Sequence, residues 1–165
     1  MRKPEKHLLV IFGASGDLTY RKLVPSVFDL FTQNLLPDEF GILGLGRTEL
    51  SNAAFREKMS EGIEKFAMTK PHNRAHLEQF LDKLFYYAFS TKEESEYLPL
   101  KLELEKLNQQ LKTENNYIFY LATPPSMYPI VPAHLAKHGL NNEDDASNAS
   151  LSRNHLATIW KALRV

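Results

Sequence analysis

The stretch His7-Leu8-Leu9-Val10-Ile11-Phe12-Gly13-Ala14-Ser15-Gly16-Asp17-Leu18-Thr19-Tyr20-Arg21-Lys22-Leu23-Val24-Pro25 decides how the rest of the chain is read. A continuous apolar run ends in two glycines three residues apart, and helical spacing begins at once. This is the pattern of a buried parallel strand that turns into a helix whose first turn cradles a phosphate. Gly13 permits the sharp turn, and Gly16 removes a Cβ where the backbone must approach a ligand. The N–H groups that open the helix have no partner within it and carry partial positive charge, so an anion settles there.

Outward from this turn, strand and helix signals alternate. Strand one covers 7–13, and the first helix runs over 18–35 with Leu23, Val27, Leu30 and Phe31 as its buried face. Residues 40–45 read as strand two, and Ser51 as the N-cap of a helix reaching Phe66. A helix over 72–84, a short strand over 85–89, an amphipathic helix from Glu94 to Leu111 and a buried strand over 117–122 follow. Pro129 and Pro132 fall in the first turn or two of the next helix, where proline costs least. Apolar strands alternating with helices predict an α/β fold with a doubly wound parallel sheet.

At 165 residues the chain is one domain of ordinary size. Its 20 basic and 20 acidic residues cancel, which argues against nucleic acid or an anionic membrane as partner. The absence of cysteine excludes disulfides, a thiol nucleophile and thiolate metal sites. The apolar run after the two early bases is too short for a signal-peptide core or a membrane span, so a cytoplasmic location is expected.

Gly13-Ala14-Ser15-Gly16-Asp17-Leu18-Thr19, followed by Arg21-Lys22-Leu23 and by Pro25-Ser26 with Phe28, resembles the N-terminal signature of glucose-6-phosphate dehydrogenases. Gly41-Ile42-Leu43-Gly44-Leu45-Gly46-Arg47 resembles that family's second strand with its coenzyme arginine. Tyr117-Ile118-Phe119-Tyr120-Leu121-Ala122-Thr123-Pro124-Pro125 resembles its later strand and loop. The resemblance covers about residues 5–145 and implies a Rossmann-type coenzyme-binding domain over 1–145, incomplete at its C-terminal side. It also implies oxidation of glucose 6-phosphate with NADP in the full-length enzyme. The general base and the sugar-phosphate cations lie beyond the matched segment in the family, so no catalytic residue is assigned in this chain.

The coenzyme site is assigned to Gly13, Ala14, Ser15, Gly16, Asp17 and Leu18, with Asp17 also complementing the helix dipole and able to cap the helix. Lys22 joins them through the resemblance, as a residue near the junction of coenzyme and substrate. Strand two ends in Gly46-Arg47-Thr48 rather than in the carboxylate that bonds an NAD ribose. Arg47 offers a bidentate guanidinium to a 2′-phosphate, which favours NADP, with NAD possible. Ala122, Thr123 and Pro124 end a later strand at the carboxyl edge of the sheet, where such folds bind ligands. The isomers of Pro124 and Pro125 are left open.

The i, i+4 pairs His72/His76 and His134/His138 read as solvated helix faces, and no metal site is expected. Tyr97 and Lys101 match a Tyr-x-x-x-Lys pattern, but Pro99 is expected to interrupt the helix they would need.

From Ala146 the chain becomes polar and turn-rich where the pattern demands another strand. Codons compatible with Ala146–Leu163, read one nucleotide earlier, can spell Gly-Ile-Glu-Arg-Leu-Ile-Val-Glu-Lys-Pro-Phe-Gly-Tyr-Asp-Leu-Glu-Ser-Ala. That string contains the Glu-Lys-Pro-Phe-Gly hallmark of the same family. Residues 146–165 are therefore read as an aberrant tail, out of frame after Asp145. Two other readings remain: a non-catalytic NADP-binding module or subunit completed by another chain, and an unrelated oxidoreductase or epimerase of the same fold. The oligomeric state is not legible.

Overall fold

The computed structural model describes residues 3–140, so the expected tail over 146–165 lies outside the described residues. Strands β1 (His7–Phe12), β2 (Phe40–Gly46), β3 (Leu84–Ala88) and β4 (Tyr117–Leu121) form one sheet in the order β3-β2-β1-β4. All three pairings are parallel, with Val10 opposite both Leu43 and Phe119. The chain proceeds from β1 outward to β3 and then returns across the sheet to place β4 on the free side of β1. The strand order thus reverses between β1 and β4, the position at which open parallel sheets bind ligands beyond their carboxyl ends.

Both faces of the sheet are covered, as the doubly wound expectation requires. Ile11, Phe40, Ile42, Leu84 and Tyr86 face α1 (Val24–Thr32), α2 (Asn52–Phe66) and α3 (Arg74–Leu81), whose Val24, Phe28, Phe55, Met59, Leu77 and Phe80 are buried with them. Their neighbours along the strands, Val10, Phe12, Leu43, Leu45 and Phe85, point the other way. There they pack with α4 (Tyr97–Leu111) and α5 (Ile130–Lys137) through Tyr97, Leu100, Leu104, Leu107, Val131 and Leu135. β1 and β2 are buried on both sides, which is why they read as unbroken apolar runs.

Local chemistry sets the helix limits. The Ser51 hydroxyl accepts from Ala54 N–H at 3.0 Å, the expected cap of α2. α1 stops at Thr32, three residues short of the expected 35. Asn34 takes a left-handed conformation (φ 57°), and Leu35 N–H donates back to Leu30 O at 3.0 Å. α3 begins at Arg74 because the Asn73 side chain accepts from His76 N–H at 2.8 Å. β3 begins one residue early because Leu84 pairs with Ile42.

Pro99 does not interrupt α4. It is the third residue of the helix, in a first turn that has no use for its missing N–H. An unforeseen π-helical turn, Thr19–Leu23, precedes α1 and holds Arg21 and Lys22. Among the described residues no peptide bond is cis, so those before Pro124 and Pro125 are trans. No helix of the described residues is long and apolar enough to cross a membrane.

Candidate functional site

The carboxyl ends of β1, β2 and β4 meet at one corner of the molecule. After Phe12 the backbone reverses through Gly13 (φ +83°), a conformation that L side chains rarely adopt. Gly13 and Ala14 N–H both donate to Leu45 O at 2.8 Å, and Gly16 N–H donates to Gly13 O at 3.1 Å. Three N–H groups of the turn are therefore satisfied within the protein. Gly13 also abuts β4: a Cβ there would lie 2.6 Å from Ala122 O and 3.2 Å from Thr123 Cγ2. At Gly16 a Cβ would press on Gly13 O at 3.2 Å, a closer approach than side chains usually make.

The segment after β2 is tied to the same turn. Arg47 and Thr48 are exposed. The Tyr86 hydroxyl, projecting from β3, donates to Thr48 O at 2.6 Å and lies, with the Ser15 hydroxyl, against Gly46, where a Cβ would stand 2.6 and 2.7 Å from the two oxygens. Burial raises the Tyr86 pKa above the usual tyrosine value, with the Ser15 side chain opposing, so the phenol is a fixed neutral donor. Its backbone N–H is held by Asn52 Oδ1 at 2.8 Å. From α2, Lys58 Nζ donates to Ser15 O at 2.9 Å.

The structure thus brings the Gly13–Gly16 turn, Arg47-Thr48 and Ala122-Thr123 to one corner. Asp17 and Leu18 are exposed at the start of the first helix, and the Asp17 carboxylate accepts from Arg21 Nε at 2.8 Å. Lys22 is exposed on the π-helical turn. Pro124 precedes a short 3-10 turn, Pro125–Met127. The Thr123 hydroxyl is buried at this corner without a hydrogen-bond partner.

Tyr86, Asn52 and Lys58 were not legible as site residues. Each acts on a residue 34 to 43 positions away, and no local pattern marks such a contact.

His72 is exposed as expected, but the other three histidines of the two pairs pack against aromatic rings. His76 stacks on Phe31 (5.0 Å, 26°) and lies 4.8 Å from the ring of His72, which precedes α3. His134 and His138 lie 4.8 and 5.9 Å from the buried ring of Tyr97. Among the described residues no group of three or more His, Asp or Glu is placed to hold a metal. The Tyr97 hydroxyl donates to Thr91 O at 2.8 Å, and burial pushes its pKa up to about 12, unsuited to proton transfer near neutrality.

A parallel sheet whose first strand turns through glycine into a helix at the switch point defines the dinucleotide-binding class of α/β domain. The family model described as "Glucose-6-phosphate dehydrogenase, NAD binding domain" matches residues 10–151, and the chain belongs to that family.

The chain is 51% identical over 137 residues to the glucose-6-phosphate 1-dehydrogenase of Treponema pallidum, covering 83% of this chain and 27% of the relative. It is 44% identical over 142 residues to that of Aggregatibacter actinomycetemcomitans, covering 86% of this chain and 28% of the relative. Among solved structures, a glucose-6-phosphate dehydrogenase in complex with its substrate glucose 6-phosphate superposes with a TM-score of 0.71. That match has 32% identity and covers 83% of this chain and 28% of the other. The chain thus spans little more than a quarter of the length of these relatives.

Proposed function

We propose that residues 1–145 are the coenzyme-binding domain of a cytoplasmic, NADP-dependent glucose-6-phosphate 1-dehydrogenase. Such an enzyme oxidises glucose 6-phosphate to 6-phosphogluconolactone in the pentose phosphate pathway. The observation that carries the NADP reading is the Tyr86 hydroxyl, which bonds Thr48 O and lies beside Gly46 with the Ser15 hydroxyl of the glycine turn. That bond holds the backbone of the Arg47-Thr48 loop next to the glycine turn, where a cation and a hydroxyl would meet an adenosine 2′-phosphate.

The corner fits the coenzyme on its own terms. Thr123 presents a buried hydroxyl without a protein partner. In this reading Ser15 N–H and the N–H groups of Asp17 and Leu18 face the diphosphate. Gly13, Ala14 and Gly16 shape the turn, and Arg47 and Thr48 take the 2′-phosphate. Ala122, Thr123 and Pro124 line the opposite wall, and Lys22 stands at the junction with substrate. When bound, the coenzyme supplies the hydride acceptor.

No catalytic base is assigned. His7 lies at the far end of β1 from Gly13, and His76, His134 and His138 pack against Phe31 or Tyr97. The chain alone is therefore expected to bind NADP saturably and to reduce none of it when given glucose 6-phosphate. Measurable NADP reduction by the purified chain, lost in a K22A/R47A double variant, would contradict the assignment of catalysis elsewhere.

A further inference from the structure

We propose that Lys58 is a coenzyme-positioning residue: from α2 it holds the Ser15 peptide of the glycine turn and adds an uncompensated positive charge behind the diphosphate site. The inference rests on the coenzyme-binding reading above.

The Ser15–Gly16 peptide is fixed at both ends. Its carbonyl accepts from Lys58 Nζ at 2.9 Å, and its N–H donates to Gly13 O at 3.1 Å. A peptide held this way keeps its orientation, so the backbone that leads from Ser15 into the first helical turn keeps its direction without a ligand present.

The reach of Lys58 is set by Gly62, one turn further along the same face of α2. A Cβ at Gly62 would stand 2.5 Å from Tyr20 O, so only glycine lets α2 lie directly on the π-helical turn. That approach carries the Lys58 ammonium to within 5.9 Å of the Tyr20 ring centroid and to the Ser15 carbonyl.

The charge balance points the same way. Arg21 is paired with Asp17 and Lys65 with Glu61, whereas Lys58 is half-buried and has no carboxylate partner among the described residues. A half-buried ammonium bonded only to a neutral carbonyl keeps its field for whatever anion occupies the turn. Because it sits behind the diphosphate turn rather than beside Arg47, it acts alike on NADP and NAD.

The test measures NADP and NAD dissociation constants of the full chain and of K58M, K58Q and K58R across a salt series. Thermal unfolding is followed in parallel. Lys58 as a positioning charge predicts that K58M and K58Q weaken both coenzymes by about tenfold, the scale of a lost charge-assisted hydrogen bond. The NADP-to-NAD ratio is expected to stay unchanged and the salt dependence to flatten, with K58R restoring both affinity and salt dependence.

Unchanged affinities in K58M and K58Q overturn the proposal. So does lost affinity that keeps the original salt dependence or is not rescued by K58R, since that marks a role in folding alone. Should K58M fail to fold, the affinity and salt dependence of K58Q against K58R decide. If the unmodified chain binds neither coenzyme, the coenzyme reading itself fails and this inference falls with it. If the unmodified chain binds and only the Lys58 effects are missing, the coenzyme reading stands.

Discussion

Gly13 and Ala122 stand so close that a Cβ on Gly13 would lie 2.6 Å from the Ala122 carbonyl oxygen. This contact locks the end of β1 to the end of β4 and shapes the corner between them. The positive φ of Gly13 adds a second constraint, because a side chain there is strained whatever space it finds. Gly13→Ala is therefore expected to destabilise the chain by about 2–4 kcal/mol and to abolish coenzyme binding. Chemical denaturation and a binding titration on the same sample measure both effects.

Tyr86 and Thr48 define the second link of the corner. The Tyr86 hydroxyl ties the Arg47-Thr48 loop to β3 through Thr48 O, so Tyr86→Phe frees the loop while leaving the ring packed against Phe55. Stability is expected to fall by about 1 kcal/mol, the net worth of a typical hydrogen bond. Preference for NADP over NAD is expected to narrow several-fold, since the 2′-phosphate group loses its fixed cradle. Competitive binding of the two coenzymes to the Y86F variant reads this directly.

Acid acts at the opposite end of β1. His7 is 4% exposed, and its Nδ1–H donates to Glu5 O at 2.8 Å. Burial lowers its pKa below the ordinary 6.5, with the Glu5 carbonyl opposing. Burial, and then the neighbouring His72, lower that of His76 as well.

A histidine whose folded pKa is depressed binds fewer protons folded than unfolded. Stability is then complete above the unfolded value of about 6.5 and falls as pH drops from there toward the lower folded values. Each unit of depression corresponds to about 1.4 kcal/mol lost across that window. Urea unfolding at pH 7.5, 6.5 and 5.5 is expected to show the decline, and His7→Phe to make it shallower.

Legibility followed sequence distance. The turn from Gly13 to Leu18 and the Ser51 cap depend on neighbouring residues, and both stand where their chemistry requires. The doubly wound parallel sheet followed from apolar runs that only a sheet buried on both faces explains. What the sequence concealed arises between elements. The π-helical turn accompanies the close approach of α2 to Tyr20 at Gly62. The early end of α1 turns on Asn34 accepting a conformation usually left to glycine. The histidines read as solvated because their aromatic neighbours, Phe31 and Tyr97, come from other helices. Lys58 and Tyr86 are ordinary helix and strand residues until the fold carries them to Ser15.

The central claim is that this corner takes NADP through Arg47. Calorimetric titration of NADP and NAD into the full chain and into Arg47→Ala tests it most directly. Saturable binding with NADP preferred is expected. In R47A, NADP affinity is expected to fall by about tenfold or more, the scale of a lost charge-assisted contact to phosphate, while NAD affinity stays nearly constant. Equal affinities for the two coenzymes in the unmodified chain, or an R47A variant that keeps its preference for NADP, would contradict it.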